Sequence, residues 1–231
     1  MLRAGFFAAL LLAAPVLAQD AQTVAGFRAV NNKEPAPEAA VIAAEAKAVL
    51  AAMAAKGQAK CTPTAVAIDA IAPATAARLV IEGINAKQLR NGWTATAVLE
   101  GCEGAPSRLI VLRMADSSLL VRVINTGETL TTASQMRDTS ANAAMAAVMA
   151  IRKAVPGCEG DGLAMGDTRV ASRGDDLGPD VYGSRYAGSW SEVWRFSVCG
   201  AAADVTIGFK ADGSGGVFSD VRGSETVIVK P

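Results

Sequence analysis

Four cysteines constrain what this 231-residue chain can fold into more than any other feature. Cys61 and Cys102 are 41 positions apart, and so are Cys158 and Cys199. A single shift, the one that carries Cys61 onto Cys158, also carries Trp93 onto Trp190 and Glu128-Thr129 onto Glu225-Thr226. Val66-Ala67-Ile68 falls on Leu163-Ala164-Met165, and Met114-Ala115-Asp116 meets Lys210-Ala211-Asp212 after a one-residue gap. This reads as an internal duplication, and it selects one of the three pairings that four cysteines allow. The expected bridges are Cys61–Cys102 and Cys158–Cys199, one in each copy. In the chain-entropy picture a loop of this length stabilises by about 4 kcal/mol. No C-x-x-C spacing occurs, so the cysteines read as structural rather than redox-active.

Disulfides imply an oxidising compartment, and the N-terminus agrees. MLRAGFFAALLLAAPVLA has Arg3, an apolar run from Phe6 to Ala14 and small residues before Gln19. That pattern is a secretory signal peptide over residues 1–18, too short in its apolar part for a membrane span. The expected organisation is a signal peptide (1–18), an N-terminal arm (19–37), a first unit (38–132) and a second unit (133–231), with no transmembrane segment after cleavage. The periplasm is the expected location, with secretion to the medium as the alternative.

Composition narrows the chemistry. There is no histidine, so Ser-His-Asp and Cys-His catalysis and His-bound zinc are excluded from this polypeptide. With 22 basic and 22 acidic side chains and no basic cluster, nucleic acid is not an expected partner. No metal and no cofactor is expected.

Each unit reads as a helix followed by strands, an α+β class with one helix on an antiparallel sheet, twice. Ile42, Ala46, Val49, Leu50 and Met53 recur at helical spacing between Pro37 and Gly57. The second helix is expected to be capped by Asp138, Thr139 or Ser140, to carry its apolar stripe on Met145, Val148 and Met149, and to stop at Pro156-Gly157. Strands are expected at 65–68, 78–82, 93–99, 108–114 and 119–124, then near 163–165 and at 190–198, 203–209 and 216–221. Leu109-Ile110-Val111-Leu112 is apolar without alternation, so that strand is expected to be covered on both faces, with the second unit as the expected cover.

Five of the 11 aromatics lie within residues 182–196: Tyr182, Tyr186, Trp190, Trp194 and Phe196. On a strand Trp190, Glu192, Trp194, Phe196 and Val198 share one face, which sets a carboxylate between two indoles. Two readings follow. One is a ligand platform of Tyr182, Tyr186, Glu192 and Trp194, suited to stacking on a glycan or packing a protein partner. The other is a core-facing row, favoured for Trp190 because Trp93 matches it. The preceding polar segment, 172–188, has the length of a binding loop. Its Arg173-Gly174-Asp175 tripeptide reads as chance. Asp212-Gly213-Ser214-Gly215-Gly216 lacks the alternating ligands of a calcium loop and reads as a turn.

Trp190-Ser191-Glu192-Val193-Trp194, Cys199-Gly200 and the glycine-rich 213–216 turn together resemble a group of small exported proteobacterial proteins with a W-x-E-x-W-x4-C-G strand. The first unit departs from this pattern at Glu103, where the glycine would be. The resemblance implies envelope localisation and no chemistry. The expected function is a non-enzymatic binding or interaction module of the bacterial envelope. The alternatives are a carbohydrate-active hydrolase using Glu192, for which catalysis needs a second opposed carboxylate, and an envelope assembly protein.

Overall fold

The computed structural model describes residues 33–56, 59 and 61–229. The expected signal peptide and residues 19–32 of the arm lie outside the described residues. The fold is α+β, with three α-helices and a nine-stranded, mostly antiparallel sheet among them. The elements run α1 (Ala39–Ala55), β1 (Ala65–Pro73), α2 (Arg78–Asn85), β2 (Leu89–Glu100), β3 (Ser107–Met114), β4 (Leu119–Gly127) and α3 (Ala133–Ala154). They continue as β5 (Ala164–Arg173), β6 (Ser189–Val198), β7 (Ala201–Ala211), β8 (Val217–Val221) and β9 (Val227–Val229). Strands β1 to β8 lie side by side in chain order, and β9 pairs with β7.

Helix α1 buries Ile42, Ala46 and Leu50, an i, i+4, i+8 stripe. Ile42 and Ala46 pack on Trp93, Ala95 and Ala97 of β2, Leu109 and Val111 of β3, and Val121 of β4. Alternate residues point the other way, and there Ile110, Leu112 and Leu89 meet Val80 of α2. Strand β3 is therefore apolar on both faces, as expected from its unbroken run. Its cover differs from the expectation: helices lie on both faces, and the second half extends the sheet sideways instead of stacking upon it.

The segment 78–82, expected as a strand, forms helix α2. Leu79-Val80-Ile81 is too short to separate the two periods by apolar content. What decides is that Val80 and Ile84 fall on the core side, while Arg78 and Glu82 pair across one outer turn at 2.7 Å.

The second core sets Met136, Ala143, Ala147 and Ile151 of α3 on Trp190, Trp194, Phe196 and Val198 of β6 and on Ala203, Val205, Ile207 and Phe209 of β7. Trp190 and Phe209 stack with centroids 5.4 Å apart. Helix α3 starts earlier than expected. Thr132 is its N-cap, and a capping box joins the Thr132 hydroxyl to the Gln135 amide N–H and the Gln135 side chain to the Thr132 N–H. Ile124 packs in both the α2-side cluster and the second core, so α2 and α3 share one face of the sheet and α1 lies on the other.

The halves meet where β4 and β5 pair in parallel, Thr126 opposite Asp167 and Gly127 opposite Thr168; every other pairing between strands is antiparallel. Gly127, at φ 90°, is required there, since a Cβ would sit 2.1 Å from the Thr168 carbonyl oxygen. The disulfides join Cys61 to Cys102 and Cys158 to Cys199, with Cα atoms 5.9 and 5.7 Å apart. Each ties the chain after a long helix, α1 or α3, to the end of a central strand.

Candidate functional site

Strand β6 carries Trp190, Glu192 and Trp194 on its core face because their spacing matches the period of the pleat. Glu192 and Trp194 are both 0% exposed. Burying a carboxylate requires hydrogen-bond donors, and five converge on this one. Oε1 accepts from Leu130 N (2.7 Å), Trp190 Nε1 (3.0 Å) and Thr131 N (3.2 Å). Oε2 accepts from Thr129 Oγ1 (2.6 Å) and Trp194 Nε1 (2.8 Å). The two indoles are therefore the near donors of a buried polar hub, and the segment 129–131, which joins β4 to α3, supplies the rest.

This placement decides what the W-x-E-x-W row can do. An indole with no exposed surface offers no face to a ligand from solvent, and a carboxylate with no exposed surface is out of reach of a glycosidic oxygen. Glu192 and Trp194 belong to the interior, and they do not form a surface platform with Tyr182 and Tyr186. Those tyrosines are half-buried on the loop between β5 and β6. Tyr182 has φ 53°, and its carbonyl accepts from Ala76 N (2.9 Å). Ser184 Oγ donates to Ala76 O (2.8 Å). The loop thus serves as a brace against the first half, with Tyr186 beside Gly215.

Arg108 extends the hub from β3. Its Nη1 donates to Thr131 O (2.8 Å) and Thr129 O (3.3 Å), so one short segment is held by a cation through its carbonyls and by a carboxylate through its N–H groups. Burial lowers the Arg108 pKa from its ordinary value, Asp180 and Glu192 act in the opposite direction, and Arg185 adds to the lowering. Nearby, Asn125 Nδ2 donates to Thr168 Oγ1 (2.8 Å) and that hydroxyl donates to Glu128 O (2.9 Å). The junction between halves is a polar network in which Asn125 Nδ2 and the Thr168 hydroxyl are bonded and Asn125 Oδ1 is buried without a partner among the described residues.

The surface candidate lies elsewhere. Between the outer side of α3 and the β8–β9 edge runs a cavity of about 970 Å³, lined by Met145, Met149, Ala150, Lys153, Val221 and Ile228 among others. Met145 is 62% and Met149 66% exposed. Helical spacing in the sequence predicts these methionines in the core-facing apolar stripe. The helix instead buries Ala143, Ala147 and Ile151, because small residues let α3 approach the bulky Trp190 and Phe209. The cue was available: an Ala-Ala-Ile stripe at i, i+4, i+8 competes with the methionine stripe, and wide aromatics on the facing strand favour the small one. The groove has the size of a ligand cleft, and methionine gives it an adaptable apolar wall.

No protein-family model, curated protein or solved structure matches this chain. Among the described residues no group of three or more His, Cys, Asp or Glu side chains converges as a metal cage, and no helix is long and apolar enough to cross a membrane.

Proposed function

We propose that this protein is an exported, non-enzymatic interaction module of the bacterial envelope, and that it engages the apolar surface of an envelope protein through the α3/β8–β9 groove. The observation that carries this reading is the pair Met145 and Met149, held in open solvent on a helix whose opposite side fills the core. Large exposed apolar side chains gathered along one cleft mark interaction surfaces. The residue 1–18 pattern and the two disulfides support export, to the periplasm or beyond it. The interior position of Glu192 argues against the hydrolase alternative.

The module is, in this proposal, a duplicated unit. The equal cysteine spacing and the burial of Trp93 under α1 and of Trp190 under α3 support this reading. So does the strand order. A half-turn about the direction in which the strands pair reverses strand direction and exchanges the faces of the sheet. Applied to a helix-plus-four-strand unit, it yields a parallel junction between β4 and β5 and a second helix on the opposite face.

A photo-crosslinking residue placed at Met149 tests the groove in intact cells, with the same residue at exposed Lys87 as control. A defined adduct at 149, missing at 87 and suppressed by Met145→Glu, is expected. Equal labelling at both positions would overturn the assignment.

A further inference from the structure

A second surface is distinct from the groove and goes beyond the reading just given. Among the described residues, the face of the second half that points away from α3 has no helix over it. Alternation along the strands sets Ser172 of β5, Ser189 and Ser191 of β6, and Gly208 and Lys210 of β7 on this side, with Arg222 following β8. They line a cavity of about 390 Å³. We propose that this cavity binds an acidic sugar, with the anionic group over Gly208 and the ring against Phe218.

Gly208 is the first reason. It occupies the interior of the 11-residue strand β7, where glycine weakens a sheet and often marks close approach of a ligand or another backbone. Its backbone is not in the left-handed region that would call for glycine. Its role is spatial: a Cβ there would lie 3.2 Å from Arg222 Nη2. The bare strand therefore forms a floor with a guanidinium parked over it.

Charge is the second. Arg173, Lys210 and Arg222 line the cavity with the carboxylate of Asp220; Arg173 is paired with Glu128, so Lys210 and Arg222 are the cations open to an anionic ligand. Lys210 makes no ion pair within 4.0 Å among the described residues. Arg222 makes only long, exposed ones, 3.6 Å to Glu225 and 3.8 Å to Asp220, which an incoming anion can replace at small cost. Guanidinium groups recognise carboxylate and phosphate alike.

The third reason is the surround. Ser172 and Ser191 hydroxyls pair at 2.7 Å and Ser189 Oγ donates to Asp176 Oδ1 at 2.9 Å, so a hydroxyl-bearing ligand meets groups of its own kind. At the rim Phe218 is 70% exposed, an aromatic face of the type that packs on the C–H side of a sugar ring. Anion recognition, hydroxyl contacts and one aromatic face together specify a sugar carrying a carboxylate or a phosphate.

Titration calorimetry of the purified protein with a galacturonate oligosaccharide, its methyl-esterified neutral form and a hexose 6-phosphate tests this. The acidic oligosaccharide is expected to bind and the ester to fail. Gly208→Thr, which fills the floor with a residue that strands favour, and Lys210→Glu should each weaken binding by about tenfold or more with a thermal midpoint no lower than the parent's. Binding of the phosphate probe as well assigns phosphorylated glycans to the site, and binding of the uronate alone assigns uronic acids; either supports it. Equal affinity for the neutral ester, full affinity in Gly208→Thr, or no binding by any acidic probe would overturn it. Met149→Lys should leave sugar binding intact, which separates failure here from failure at the groove.

Discussion

Replacing Glu192 by glutamine changes one oxygen into an N–H2 group and nothing else in shape, so its cost follows from counting donors. Five donors point at the carboxylate and no acceptor is needed by it. The glutamine amide would take the Oε2 side, since the Oε1 side faces three donors, two of them fixed backbone N–H groups. There the Thr129 hydroxyl can turn to accept, but the Trp194 N–H is left facing another donor. One orphaned buried donor costs about 1–3 kcal/mol, and weakening the bonds that gain from a charged acceptor adds about 1–2 kcal/mol. The expected loss is about 2–5 kcal/mol, a large part of the roughly 5–15 kcal/mol typical of a folded domain, or about 4–20 °C in thermal midpoint. Urea unfolding with disulfides intact, followed by tryptophan fluorescence, measures it directly. A variant within about 0.5 kcal/mol of the parent, the range of an ordinary surface change, would refute the claim that the hub holds a carboxylate among donors only.

Two further outcomes follow from the same geometry. Asp204 accepts from Arg195 Nε (2.7 Å) and Nη2 (3.1 Å) and from Arg169 Nη1 (2.9 Å), and its pKa is lowered chiefly by the Arg195 hydrogen bond. A carboxyl depressed in the folded state contributes stability that is present above the unfolded value of about 3.9 and lost as pH falls through the folded value. The urea midpoint should therefore drop below about pH 4, and Asp204→Asn should flatten that limb; an unchanged limb would show that the pair contributes nothing. Removing the second bridge with Cys158→Ser/Cys199→Ser should cost about 4 kcal/mol by the chain-entropy estimate for this loop, whereas a loss under about 1 kcal/mol in urea unfolding would mean that the denatured chain is already restrained there.

Much of the fold could be read in advance, and the failures share a cause. Helix α1 and the strands β2, β3, β6 and β7 were legible because each has one clear apolar period and flanking turn residues. Helix α2 was not, since three consecutive apolar residues satisfy either period until a neighbour chooses. The start of α3 was missed because Thr132 and Gln135 form a capping box inside a segment that reads as a linker. Strand β5 runs to Arg173 although its expected trace ended near Met165, because Gly166, Asp167 and Arg169 mask the alternation. At the site, the sequence set Trp190, Glu192 and Trp194 on one face correctly, yet which face meets the helix depends on α3 burying alanines and leaving its methionines outside. The helix carries both stripes, Ala143-Ala147-Ile151 and Met145-Met149, and the choice between them rests on the widths of the side chains that β6 and β7 present to it.

The two bridges are sequential, the first closed before the residues of the second begin. For a chain threaded N-terminus first into an oxidising space, Cys61 meets Cys102 while Cys158 has yet to emerge. Order of arrival alone then yields the native partners, and neither cysteine pair has to wait for an isomerase to undo a wrong choice.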